Sequence, residues 1–240
     1  NMLLSKNYSD TWDELISGKS SELYEIEKSL GKNYTPSIEK IMRFLNNDLN
    51  NIKVCIVGQD PYYSIDNNEL VACGRAFQPS NLVNWSQPFR QVSLKNIIRL
   101  LYKSYMNIEG YEDIASYKNI VSEIAEGKFP IKQPREWFDS LEKQGVLFLN
   151  RYLTTEIGKP NAHRSIWDEF MKDVFRFIDE KRPDLVWFLW GSEAQQSLEL
   201  IKNGLIYKCR HPMMCSDKYE DDFLKSECFK DTKNIINWLG

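Results

Sequence analysis

The chain lacks any long apolar run. No hydrophobic stretch approaches the roughly 20 residues needed to cross a bilayer, so no helical span is expected and no membrane partner. The opening Asn1-Met2-Leu3-Leu4-Ser5-Lys6 has neither the basic start nor the apolar core of a secretory signal. Cysteine is sparse: Cys55, Cys73, Cys209, Cys215 and Cys228 are odd in number, and no pair has C-x-x-C spacing. That argues against a disulfide framework and against a zinc site, and it points to a reducing cytoplasm. Three glycine signatures are missing as well: G-x-S-x-G, G-x-x-x-x-G-K and G-x-G-x-x-G. Their absence speaks against a serine hydrolase elbow, a P-loop and a dinucleotide-binding turn. An excess of positive charge is also absent. Lys and Arg number 31 against 34 Asp and Glu, a net charge of −3. Composition therefore gives no electrostatic signature of nucleic-acid binding, although a local patch would suffice for it.

What is present is an ordinary globular composition, 42% hydrophobic and 27% charged over 240 residues, without repeats, low-complexity tracts or Gly/Ser linkers. One domain spanning 1–240 is expected, as a monomer. Residues 7–50 read as helical, with apolar residues at helical spacing over Tyr8 to Ser17, Ser21 to Leu30 and Ser37 to Leu49. Short apolar runs at 54–57, 146–149, 185–190 and 205–209 have the look of buried parallel strands. Helices are predicted between and after them, over Gln91 to Tyr105, Trp137 to Lys143, Ser165 to Lys181, Glu193 to Ile201 and Phe223 to Trp238. Residues 105–133 read as a polar, irregular insertion holding a short helix near Ile114 to Ile124. Alternating strands and helices predict a three-layer α/β fold, with a central, mostly parallel four-stranded sheet and helices on both faces.

In open α/β sheets, ligands bind beyond the carboxyl ends of the strands. Those ends carry Gln59-Asp60, Asn150, Gly191-Ser192 and His211. Gly58-Gln59-Asp60-Pro61-Tyr62 taken alone reads as a turn, since Gly, Asp and Pro are common turn residues. Its company makes it more interesting. The chain has only two histidines, His163 and His211, and His211 falls at a strand end, where an imidazole can serve as acid, base or hydrogen-bond donor. His163, just before a helix, reads as structural.

At these residues the sequence resembles the family-one uracil-DNA glycosylases. Gly58-Gln59-Asp60-Pro61-Tyr62 matches that family's water-activating motif, and Gly145 to Asn150 with Leu153-Thr154 resembles its uracil-recognition strand. Gly74-Arg75-Ala76-Phe77 aligns with the segment of its stacking phenylalanine. Ser93 to Ile97 resembles the helix start after its proline-rich loop, and Leu189 to Gln195 its third strand and turn. His211-Pro212 followed by Ser216 resembles its DNA-intercalation loop. The resemblance covers about residues 50–240, with the motifs in order.

It implies an enzyme of base excision repair that flips uracil out of single- or double-stranded DNA and hydrolyses its N-glycosidic bond, with no cofactor and no metal. Asp60 would stabilise the cationic sugar and orient water. His211, neutral, would donate to uracil O2 as charge builds there. Asn150 would accept from N3–H and donate to O4, and Phe77 would stack on the base. Tyr62 would exclude a thymine methyl, and Gln59 would order the turn. Ser93, Ser192 and Ser216 would grip phosphates through neutral donors. The readings without function are simpler: Asn150 as a cap, Phe77 as core, the serines as helix N-caps, Ser192 above all.

The chain departs from the family where it would grip DNA. Tyr63 stands where histidine is usual, most prolines before Ser93 are missing, and the loop reads His211-Pro212-Met213-Met214-Cys215-Ser216. The usual serine at Met213 and leucine wedge at Cys215 are gone, and Met214 can replace the wedge. An active enzyme with weakened duplex binding is expected. A proteinaceous inhibitor mimicking DNA is a candidate partner. Two alternatives stay open: a catalytically weakened homologue that binds DNA or a protein, and a glycosylase for another damaged base.

Overall fold

The computed structural model describes residues 2–4 and 7–240. Its centre is a four-stranded, entirely parallel sheet made of β1 (Val54–Gly58), β2 (Val146–Asn150), β3 (Val186–Trp190) and β4 (Leu205–Cys209), in the order β2-β1-β3-β4. Every residue of β1, β2 and β3 is buried, which is why these strands read as unbroken apolar runs without alternation.

Alternation reappears as two different cores. Cys55, Val57, Leu147, Leu149, Trp187 and Leu189 point into one, shared with the N-terminal helices and α5 (Arg164–Lys181). Val54, Ile56, Val146, Phe148, Val186, Phe188 and Trp190 point into the other, filled by α2 (Val92–Tyr105) and α4 (Pro134–Gln144). Asn150 shares the parity of Val146 and Phe148, so its side chain belongs to this second face.

The ends of the chain differ from the sequence expectation. Of the three helices expected in 7–50, only the second is full length, as α1 (Ser20–Ser29). The first splits into a 3₁₀ turn, Asp10–Trp12, and the four residues Asp13–Ile16. The third breaks into Ile38–Ile41 and two 3₁₀ turns. The helix expected over Glu193 to Ile201 is one α-turn, Ser192–Gln195, continued as 3₁₀ over Gln196–Leu200. The closing helix is a 3₁₀ turn, Phe223–Lys225, one α-turn, Cys228–Asp231, and further turns. There Thr232 Oγ1 accepts from the indole of buried Trp238 and donates to Cys228 O, so side-chain bonds replace the helical ladder.

Residues 105–133 form part of the second core. They carry the 3₁₀ turn Tyr111–Asp113 and α3 (Tyr117–Ala125), and they bury Ile114, Ile120, Phe129 and Ile131. Two short pairings have no counterpart in the sequence reading. Tyr34–Thr35 pairs antiparallel with Thr155–Glu156. Ile65–Asp66 and Glu69–Leu70 form a hairpin whose turn residues, Asn67 and Asn68, both have positive φ.

Candidate active site

The carboxyl ends of β2 and β1 lie side by side, with Gly58 paired to Asn150. A Cβ on residue 58 would stand 2.3 Å from Asn150 Oδ1 and 2.8 Å from the Cβ of Ala76. Glycine is needed there because the Asn150 amide crosses directly over that backbone. Asn150 is only 7% exposed. The next two amides, of Arg151 and Tyr152, donate to Gly58 O and Gln59 O at 2.8 and 3.0 Å, so the two strand ends leave the sheet as one unit.

Past Gly58 the chain turns through Gln59 and Asp60. Asp60 Oδ2 accepts from the backbone amide of Asn161 at 2.7 Å, while Oδ1 is buried without a hydrogen-bond partner among the described residues. Burial pushes the carboxyl above the usual Asp range; the Asn161 amide and the Arg164 guanidinium pull it back, and Glu193 adds to the rise. Gln59 Nε2 donates to Asn161 Oδ1 at 2.6 Å, which fixes the outer side of the turn.

Phe77 occupies the facing wall. Its φ of 69° is left-handed, a costly conformation for a bulky residue, and three ties hold it there. Tyr62 Oη donates to Phe77 O at 3.0 Å, and Ala76 N donates to Phe148 O of β2. Buried Arg75 ties the segment to α4 through Glu142 and Asp139 at 2.6 and 2.8 Å. The Phe77 ring lies 5.6 Å from Trp190, the last residue of β3. Asp60, Tyr62, Phe77 and Asn150 are thus gathered by contacts around the ends of two strands.

His211 follows β4 and packs on Gly191 at the end of β3, where a Cβ would stand 2.9 Å from His211 Cβ. Its Nδ1 accepts from the backbone amide of Met213 at 3.0 Å. An accepting Nδ1 carries no proton, so Nε2 is the protonated nitrogen and a donor. Burial lowers the imidazole pKa further and keeps the ring neutral. His163 is buried and shares a 2.9 Å hydrogen bond with Thr154 Oγ1, which also accepts from Trp167. It serves the fold.

The loop after His211 is fastened from two sides. Asn96 of α2 donates to Pro212 O at 2.6 Å. Buried Asp222 accepts from the amides of Ser216 and Leu224 and from Tyr111 Oη. Met213 and Met214 project with 60% and 73% exposure, whereas Cys215 turns inward, its thiol facing Pro212 O. Ser93 lies one turn before Asn96 on α2. Ser192 is exposed at the first position of its helix; the N-cap is Gly191, so the cap reading of Ser192 is overturned. A cavity of about 530 Å³ at the opposite edge of the sheet is lined by Lys53, Lys143, Arg182 and Asp184, but Arg182 is already committed to Leu49 O and Asp184.

Asn161 and Arg164 escaped the sequence reading. Gly158-Lys159-Pro160-Asn161 reads only as a turn, and the one cue was an asparagine, a residue that tolerates the positive φ it adopts here, 64°.

The fold and site are those of an α/β protein with a desolvated carboxylate, an amide and a neutral imidazole gathered around one rim, at the carboxyl edge of a parallel sheet where such folds bind their ligands. A family model of the uracil DNA glycosylase superfamily matches residues 46–234, and the chain belongs to that family. It is 30% identical to a uracil-DNA glycosylase of Buchnera aphidicola subsp. Baizongia pistaciae, over 95% of this chain and 96% of the relative. It is also 30% identical to one of Francisella tularensis subsp. novicida, over 84% and 83%. The wild-type UNG of Nitratifractor salsuginis has the same fold, with a TM-score of 0.69 at 18% identity, covering 96% of this chain and 93% of that one. Mimivirus uracil-DNA glycosylase superposes with a TM-score of 0.67 at 22% identity, covering 88% and 71%.

Proposed function

We propose that this chain excises uracil from DNA by hydrolysing its N-glycosidic bond, leaving an abasic site, with Asp60, Asn150 and His211 as the central residues. As the N1–C1′ bond breaks, its electron pair leaves with uracil and the sugar becomes cationic. Asp60 faces the sugar: its carboxylate stabilises the cation, orients the water whose oxygen adds to C1′, and takes up the proton that water gives off. His211 Nε2–H donates to uracil O2, where the negative charge accumulates. Asn150 accepts from N3–H and donates to O4, a pattern cytosine cannot meet. Phe77 stacks on the ring, and Tyr62, its hydroxyl tied to Phe77 O, fills the space a thymine methyl would need.

Gln59 orders the turn. Ser93, Ser192 and Ser216 hold phosphates, and Met214, the more exposed methionine, fills the stack with Met213 beside it. Cys215 supports the loop from inside. Single-stranded DNA is favoured over duplex. A protein mimicking DNA would dock on the same rim; a mimivirus UNG variant has been solved in complex with UGI.

The observation that carries this reading is the protonation pattern around one rim: His211 donates only through Nε2, while Asp60 keeps one oxygen without a partner among the described residues. The test is base release from a fluorescent single-stranded oligonucleotide with one uracil, followed by alkaline cleavage, with thymine and cytosine controls. Asp60→Asn should slow release by about 10²–10⁴-fold. Release at thymine, or an unimpaired Asp60→Asn, would overturn it.

A further inference from the structure

The grip on Asp60 comes from a residue that is itself gripped. Asn161 N donates to Asp60 Oδ2, and Asn161 Oδ1 accepts from Gln59 Nε2 at 2.6 Å and from Arg164 Nη2 at 2.8 Å. The other arm of Arg164 reaches Glu193 at 3.3 Å, across to the turn after β3. The guanidinium also lies 5.4 Å over the ring of Tyr152, and its Nε is buried. Through Asn161, one planar side chain at the start of α5 thus links the turn holding Asp60 to the turn after β3.

We propose that Arg164, acting through Asn161 and braced by Glu193, is a positioning residue that fixes the orientation and charge of Asp60. This rests on the uracil-excision reading above and adds a control element to it. The fork geometry explains the choice of arginine: a lysine would keep the charge but not satisfy Asn161 and Glu193 together.

The charged groups acting on Asp60 are Arg164 from α5 and Glu193 from the turn after β3, and they oppose each other. Gln59 and Asn161 are uncharged, and His211, beyond β4, is held neutral. Losing the cation raises the Asp60 pKa and losing the anion lowers it, so the two substitutions act in opposite directions. A purely structural role would slow the reaction equally at every pH.

The experiment is the single-turnover excision rate against pH on saturating uracil-containing single strands, for wild type, Arg164→Gln, Arg164→Lys, Glu193→Gln and the Gln/Gln double variant. Carboxyl ¹³C titration of Asp60 accompanies it, with the resonance assigned by Asp60→Asn. Arg164→Gln should be about ten-fold slower at neutral pH, from misplacement of the carboxylate, and its acid limb should move to higher pH. Glu193→Gln should move the limb to lower pH, and the double variant should fall between the single ones. Arg164→Lys should keep the limb near wild type while remaining slower. Folded variants whose limbs coincide with wild type would overturn the relay. If wild type releases no uracil, the excision reading fails by itself. The carboxyl titration then decides the relay: opposite displacements in the two single variants support it, and none refutes it.

Discussion

Asp60 is held where its charge is disfavoured. Burial outweighs the Asn161 amide and Arg164 and pushes the carboxyl upward. A carboxyl whose folded pKa lies above its unfolded one stabilises the fold when protonated, and that contribution is lost as pH rises through the folded value. At neutral pH the anion therefore costs stability. Asp60→Asn should be catalytically impaired and still melt about 2–4 °C higher than wild type at neutral pH, since Asn can accept from the same Asn161 amide. Scanning calorimetry at falling pH should show this gap closing as Asp60 takes up its proton. A lower melting temperature at neutral pH would mean that the charged hydrogen bond outweighs the desolvation. His211 presents the opposite charge problem and solves it by staying neutral. Its accepting Nδ1 predicts the Nε2–H tautomer at neutral pH, visible in long-range ¹H–¹⁵N spectra, with no imidazolium signal until pH falls below the ordinary histidine range.

The elements that hold these residues are adjacent strand ends, and Gly58 is where they come closest. Gly58→Ala would place a methyl 2.3 Å from Asn150 Oδ1, so the amide must move. Excision should fall by about 10²-fold, since misplacement of about 1 Å in a reading group costs on that order. Binding of an abasic-site strand, which has no base to read, should change little. Equal losses in both assays would place the damage in the backbone and not in Asn150. Much of this site was legible beforehand, because each strand is a short apolar run ending in Gly or a polar residue. The four strands, to within one residue at each end, and α2, α4 and α5 follow from that pattern, with α4 starting three residues earlier than expected. Illegible were the places where side chains replace regular backbone ladders: the broken helices of 7–50, the Thr232-pinned C-terminus, and Asn161, whose amide holds Asp60 while its side-chain oxygen gathers Gln59 and Arg164 from distant parts of the chain. In residues 105–133 the expected short helix is found as α3, and what was not legible is the burial around it. Ile114, Ile120, Phe129 and Ile131 are too widely spaced to read as one face, yet they fill the core beneath α2.

At the scale of the whole molecule, the puzzle is an acidic protein, net −3, in a family that acts on a polyanion. Several cations near the rim are already paired with carboxylates at the protein's own surface. Arg164 pairs with Glu193, Arg210 with Asp221 while stacked 3.6 Å over Tyr219, and Lys225 with Asp217. On the proposed reading, phosphate contacts fall to hydroxyls and backbone amides, which displace few condensed counterions. Salt should therefore weaken DNA binding only gently. A log–log plot of duplex affinity against salt concentration should have a slope no steeper than about −3, the value for roughly three neutralised phosphates. The same plot for a single strand should be shallower again, because its charge density is lower. A duplex slope near −6 would show that these surface ion pairs open on binding and hand their cations to phosphates. Such a protein would grip DNA by rearrangement; the shallow slope would mark one that reads the base first and holds the backbone lightly.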